Sequence, residues 1–274
     1  MNRERRIRWL STIGMSLAAV VFLYPLLWMV LGSFKANTEI FDTSRFWPSV
    51  WSGEYYSILT SGEYFSFWRS LANSTFIALA QAIGATAFAS MAGYALGVYR
   101  FPGRGFLIFL GAATIFIPAQ MIALPLFAWV NVLGLFDNPL GVALPGMVSG
   151  LGLLFFTRVF SQIPRELLEV GRMEGASEFR IFASVLPLLK PFLVAFGFAH
   201  FVLAWHAHIV PLLILHSDTA RTLPLSLAAL YGSSLNSPQA VLMAGSTLGM
   251  IPLIAVFAFA YPRLKTALQE FVAQ

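Results

Sequence analysis

"ELLEVGRMEGASEFRIF" occupies residues 166–182 and places four carboxylates and two arginines within seventeen residues. Apolar segments flank it on both sides. The 274-residue chain is 58% hydrophobic and only 11% charged, with 26 Phe and 7 Trp. A water-soluble domain usually carries about a quarter of its residues charged, so water is not the main solvent here. The charged stretch then reads as a segment held outside a lipid bilayer. With no cysteine in the chain, disulfides, thiolate catalysis and Cys-based zinc sites are excluded. The net charge of +5 does not gather on a soluble domain, so nucleic acid is not an expected partner.

A bilayer core takes about 20 apolar residues per helix. Outward from the charged stretch, six segments meet that length, near 9–31, 71–98, 106–130, 140–160, 192–215 and 240–261. The first follows "MNRERRIR", a layout shared with signal peptides. A signal core is about 7–15 apolar residues long, and this run is longer, so an anchor is expected. The expected fold is an all-α membrane protein, a bundle of six helices. One side of it holds the N-terminus, the 99–105 turn, the 161–191 loop and the C-terminus, with thirteen of the Lys and Arg residues. The other holds Lys35, Arg45, Arg69 and Arg221. Lys and Arg stay on the cytoplasmic side, so both termini and the charged loop are expected there.

The expected organisation is a cytoplasmic N-terminus and first helix (1–33), an external loop (34–69), a core of five helices (70–265) and a cytoplasmic tail (266–274). The external loop carries Trp47, Trp51, Tyr55, Tyr56, Tyr64, Phe65 and Trp68. Trp and Tyr suit a membrane interface, having an apolar ring and a polar tip, so the loop reads as an interfacial belt. An external protein can also dock there. GxxxG spacings at Gly93/Gly97, Gly146/Gly150, Gly171/Gly175 and Gly245/Gly249 point to close helix packing.

Within 161–191 the pattern predicts two short helices. The first begins after Pro164, with Glu166 and Glu169 near the positive end of its dipole. Gly175 can end it in a left-handed conformation. Ser177 can cap the second, which is expected to stop before Pro187 and Pro191. Leu167, Leu168 and Gly171 are expected to share one face, opposite Glu166, Glu169 and Arg172. A solvated loop and a helix that docks into another protein both fit this pattern.

"ELLEVGRMEGAS" followed by "VLP" resembles the coupling motif of permease subunits of binding-protein-dependent ABC importers. The likeness extends to the carbohydrate branch, the maltose-type inner-membrane components, through "NSTFIALAQ", "AGYALGVYRFPGRG", "LGLFDNPLG", "AWHAHIVPLLIL" and "ARTLPLSLAAL". It covers roughly residues 70–265. The resemblance implies a type I importer permease whose loop between the fourth and fifth helices docks into a cytoplasmic ATPase dimer. It implies a second permease subunit in a heterodimer, an external solute-binding protein, and ATP and Mg held by the ATPase subunits, with no cofactor in this chain. By position Glu169, Val170 and Gly171 stand where the family has Glu-Ala-Ala, with Gly175, Ala176 and Ser177 at the turn. Twelve positions separate Gly175 from Pro187, one fewer than the family usually has. One missing residue rotates a continuous α-helix by ~100°, so the second helix must differ or a turn must absorb the change. Where these permeases usually have Trp-Asn and an acid, this chain has Trp205, His206 and Ala207. His206 is expected to face the bundle or the solute path as a neutral hydrogen-bonding group, with Trp205 and Asn73 as further candidates for such contacts.

Other chemistries find less support. No Walker-type phosphate loop is present, so ATP is not expected to bind this chain. In a straight helix His200, His206 and His208 cannot converge on one ion, since the last two lie ~200° apart; histidines hydrogen-bonded within the bundle are expected instead. No carboxylate pair falls within the expected spans, which leaves a gradient-driven secondary transporter little to relay protons with. An intramembrane hydrolase would need Ser90, Ser149 or Ser246 beside a histidine, and nothing in the pattern fixes that geometry.

Overall fold

The computed structural model describes residues 3–42, 44–232 and 239–272. Its α-helices are α1 (Arg3–Gly32), α2 (Glu54–Ser61), α3 (Phe67–Val98), α4 (Arg104–Phe116), α5 (Ala119–Val132), α6 (Pro139–Gly146) and α7 (Gly150–Phe160). They continue with α8 (Arg165–Met173), α9 (Glu178–Val185), α10 (Lys190–Trp205), α11 (Ile209–Ile214), α12 (Leu223–Gly232) and α13 (Gln239–Val272). No strand occurs among the described residues. Trp9–Gly32, Phe67–Val98, Pro139–Phe160, Glu178–Trp205 and Gln239–Ala267 are each long and apolar enough to cross a bilayer. The all-α bundle expected from the sequence is therefore present.

Two of the expected spans are built differently. The third, expected over 106–130, is broken: α4 and α5 meet at 105°. Ile117 is extended (φ −89°, ψ 110°) and Pro118 precedes the first residue of α5. A proline disfavours the helical conformation of the residue before it and has no N–H to continue the ladder. The fifth, expected over 192–215, begins earlier and ends earlier. It is helical from Glu178 to Trp205, breaks at 206–208 and resumes as the six-residue α11 around Pro211. The straight-helix geometry assumed for the three histidines therefore does not apply beyond Trp205.

The chain also stays helical through Pro187 and Pro191, where a stop was expected. Leu186–Leu189 forms a 3-10 helix with Pro187 in its first turn, and Pro191 occupies the first turn of α10. Proline is tolerated at both places because first-turn N–H groups have no intrahelical partner.

The chain divides into two compact units, Met1–Trp68 with Ser226–Ile251, and Arg69–Leu225 with Pro252–Gln274. In the first, the loop after α1 folds back on that helix: Tyr24 stacks on Phe46 at 6.0 Å and Trp28 meets Phe41 at 6.4 Å. Phe34 contacts both Trp51 and Tyr56. Lys35 is buried and donates to the Arg45 carbonyl at 2.6 Å. Asn37 Oδ1 accepts from the Ala240 N–H at 2.8 Å, satisfying a donor left free at the start of α13. Trp47 and Trp51 in the loop and Trp68 in the first turn of α3 remain more than half exposed.

In the second unit, small residues set the approach of the helices. A Cβ added at Gly97 would stand 2.8 Å from the Thr157 carbonyl oxygen and 2.9 Å from Phe160 Cβ. The α3–α7 crossing therefore requires glycine there. Lipid tails offer no hydrophobic drive between helices, and close packing with interhelical hydrogen bonds takes its place. Gln81 Nε2 donates to the Val142 carbonyl at 2.9 Å, and His200 Nε2 lies 2.9 Å from the Gly146 carbonyl, to which its N–H donates. One buried cluster runs from Ala85, Tyr94, Phe156 and Phe160 to Leu168, Ile181, Phe182 and Phe196.

Candidate functional site

The two helices of the charged stretch form a turn built from its own residues. Gly175 has φ +74°, a conformation glycine adopts without penalty. Its N–H donates to the Arg172 carbonyl and the Ala176 N–H donates to the Gly171 carbonyl, both at 3.0 Å. This pair of bonds is the Schellman arrangement that closes a helix C-terminus. Ser177 Oγ then accepts from the Arg180 N–H at 3.4 Å and caps α9. Helix α8 thus ends, turns and restarts within four residues.

Packing fixes which face of α8 points inward. Leu168 is 3% exposed and Ile181, Phe182 and Val185 are buried with it. Gly171 lies against Ile181. Leu167 does not share that face, contrary to the expected grouping with Leu168 and Gly171. It is 50% exposed, and with Val170 (49%) and Met173 (80%) it makes an outward apolar stripe at i, i+3 and i+6. Phe179 on α9 adds a fourth exposed apolar group, 73% exposed. Glu166, Glu169 and Ser177 are exposed, and Ala176 is half-buried.

Glu178 ties the two helices to the bundle. Its Oε1 accepts from Arg172 Nε and its Oε2 from the Tyr94 hydroxyl, both at 2.9 Å. The Arg172 guanidinium lies 5.5 Å from the Tyr99 ring centre, within cation–π range. Tyr94 in turn packs edge-on against Phe160 and Tyr99. Sequence reasoning missed Tyr94, Arg172 and Glu178 as a set. Their signal was a tyrosine inside the small-residue run "AGYALG", 84 positions from its carboxylate partner.

The remaining candidates are not brought together. Asn73 is buried, and its Nδ2 donates to the carbonyls of Thr219 at 2.8 Å and Arg221 at 3.1 Å. Trp205 is buried and stacked on Phe201 at 5.8 Å. His206 points elsewhere: it is exposed, and its Nδ1 donates to the Val202 carbonyl at 2.9 Å, one turn back on its own helix. Among the described residues no group of His, Asp and Glu gathers as a metal site.

Residues 85–270 match the family described as "Binding-protein-dependent transport system inner membrane component". The chain belongs to that family. It is 33% identical over 260 residues to the arabinooligosaccharides transport system permease protein AraQ of Halalkalibacterium halodurans, covering 92% of this chain and 91% of that one. It is 31% identical over 269 residues to the trehalose transport system permease protein SugB of Mycobacterium tuberculosis, covering 96% and 95%. Its fold matches a chain of a bacterial ABC transporter involved in the import of the acidic polysaccharide alginate. That match has a TM-score of 0.81 at 23% identity and covers 96% and 99% of the two chains. The protein is thus the multi-pass transmembrane subunit of an ABC importer, a permease and not an enzyme. The partners of such a permease are an ATPase and a solute-binding protein.

Proposed function

We propose that this permease forms half of a path for a sugar or short oligosaccharide, beside a second, different permease subunit, with both termini in the cytoplasm. The α8–α9 turn docks into a cleft of an ATPase dimer that holds the ATP and Mg, and Glu169, Val170, Gly171, Gly175, Ala176 and Ser177 form the coupling site. One observation carries this reading: an exposed apolar stripe, Leu167, Val170 and Met173, on a helix whose other face is anchored by buried Leu168. Exposed apolar groups on a rigid turn suit a protein partner better than water. The saccharide class rests on what the relatives are named for.

Placing Val170→Asp together with Met173→Asp charges the stripe without touching the buried face. Copurification of the ATPase and solute uptake should both fall, while membrane abundance stays unchanged. Glu169→Lys should act in the same direction. Normal copurification and uptake in all these variants would make the turn a solvated connector and end the coupling reading. Orientation is tested separately in this cysteine-free chain: Glu63→Cys should label from outside and Glu174→Cys only from inside.

A further inference from the structure

Beside the docking turn lies a cleft of about 560 Å³ lined by the ends of α3, α4, α7 and α8, within the ~300–1,000 Å³ usual for small-ligand sites. Three arginines line it: Arg100 in the α3–α4 connection, Arg104 at the start of α4 and Arg165 at the start of α8. No carboxylate does. Arg104 is held in place by its Nε, which donates to the Leu96 carbonyl at 2.6 Å, leaving its two terminal nitrogens free of that bond. Among the described residues none of the three forms an ion pair, whereas Arg172, Arg221 and Arg45 each do. Like charges gathered around one cleft repel each other unless an anion neutralises them.

We propose that this cleft binds a phosphate-type anion through Arg100, Arg104 and Arg165. The guanidinium fork matches phosphate oxygens two at a time. Two sources supply that chemistry. One is the headgroup of an anionic phospholipid, since basic pockets between membrane helices on the cytoplasmic side hold such headgroups. The other is a free phosphate or phosphate ester from the cytoplasm. Arg165 and the buried anchor Leu168 both belong to α8 and both line the cleft, so a bound anion would hold α8 against α3 and α4. Anion binding itself does not depend on the docking assigned to α8.

The test uses the full chain purified in mild detergent, with two probes. Phosphatidylglycerol, offered against phosphatidylcholine, is quantified by mass spectrometry after extensive exchange. Inorganic phosphate is followed by equilibrium dialysis in phosphatidylcholine discs. Retention of phosphatidylglycerol alone assigns the site to a lipid headgroup, and phosphate binding assigns it to a soluble anion. In either arm Arg100→Gln and Arg165→Gln, which leave the Arg104–Leu96 anchor intact, should each weaken binding about tenfold, the scale of one charge-assisted contact. Arg158→Gln removes a nearby arginine that does not line the cleft and should leave binding unchanged. The proposal is overturned if the wild-type chain binds neither probe, or if Arg158→Gln weakens binding as much as the cleft variants do.

Discussion

Gly171 and Ile181 meet across the α8–α9 turn so closely that a Cβ on Gly171 would stand 3.0 Å from Ile181 Cγ1. Glycine inside a helix costs about 1 kcal/mol relative to alanine, so the close approach is what this position gains in exchange. Ile181 is 2% exposed and has little room to retreat. Gly171→Ala should therefore leave stability within about 1 kcal/mol of wild type, its better propensity set against a crowded contact. Gly171→Leu should destabilise by about 1–3 kcal/mol, as overpacking usually does. Thermal unfolding in detergent reads both, and a Gly171→Leu chain as stable as wild type would mean that α8 does not pack on α9.

Tyr94 and Glu178 should behave as a coupled pair. Tyr94 is buried in the bundle, whereas the Arg172–Glu178 ion pair is open to solvent and should contribute under about 1 kcal/mol. The Tyr94 bond is the stronger link. A double-mutant cycle of Tyr94→Phe with Glu178→Gln should give a coupling near 1 kcal/mol. An additive cycle would show that the two side chains do not interact.

Asp137 fastens the connection before α6 to the stretch after α11. Its Oδ1 accepts from the N–H groups of His216 at 2.7 Å and Ser217 at 2.9 Å, and its own N–H donates to the Ile214 carbonyl at 3.0 Å. Burial raises its pKa, but the N–H donors of Ser217 and His216 outweigh that and hold it below the ordinary 3.8. A native pKa lower than the unfolded one gives stability that is present above about pH 3.8 and lost as pH falls below it. Asp137→Asn tolerates the same φ of 55° but lacks the charge. The variant should be less stable at neutral pH and show a shallower loss of stability in acid. Parallel acid profiles for the two proteins would rule out this role.

His206→Asn should keep most transport, since an amide can also donate to the Val202 carbonyl. His206→Leu cannot donate, yet that carbonyl still accepts the His206 backbone N–H at 3.2 Å, so little stability should be lost. If the imidazole lines the solute path, transport by the Leu variant falls at equal abundance and equal thermal stability. Equal transport by Asn and Leu would make His206 a bystander.

The local signals in the sequence were legible where chain-neighbour chemistry decides the outcome. Gly175, Ser177 and Pro164 act on their own backbone, and the turn, the cap of α9 and the start of α8 follow from them. Pro187 and Pro191, read as stops, instead sit in first turns of a continuing helical run. Span lengths were legible as hydropathy, but not where a span breaks. Pro118 ends α4 whereas Pro125 and Pro252 sit inside continuous helices, and only packing chooses between those outcomes. The inward face of α8 was misassigned for a related reason. Leu167 and Leu168 are equally apolar, and Ile181, ten or more positions later, determines which one is buried.

Leu168, Ile181 and Phe182 belong to one continuous buried cluster with Tyr94, Phe160 and Phe196. Close-packed interiors compress very little. A displacement delivered at α8, as the proposed docking requires, would therefore pass to α3 and α7 through solid matter, with little slack to take up first. A pull would travel the same way, because α9 passes through the 3-10 segment Leu186–Leu189 directly into α10, which ends at Trp205. The turn behaves less like a tether than like the foot of a strut.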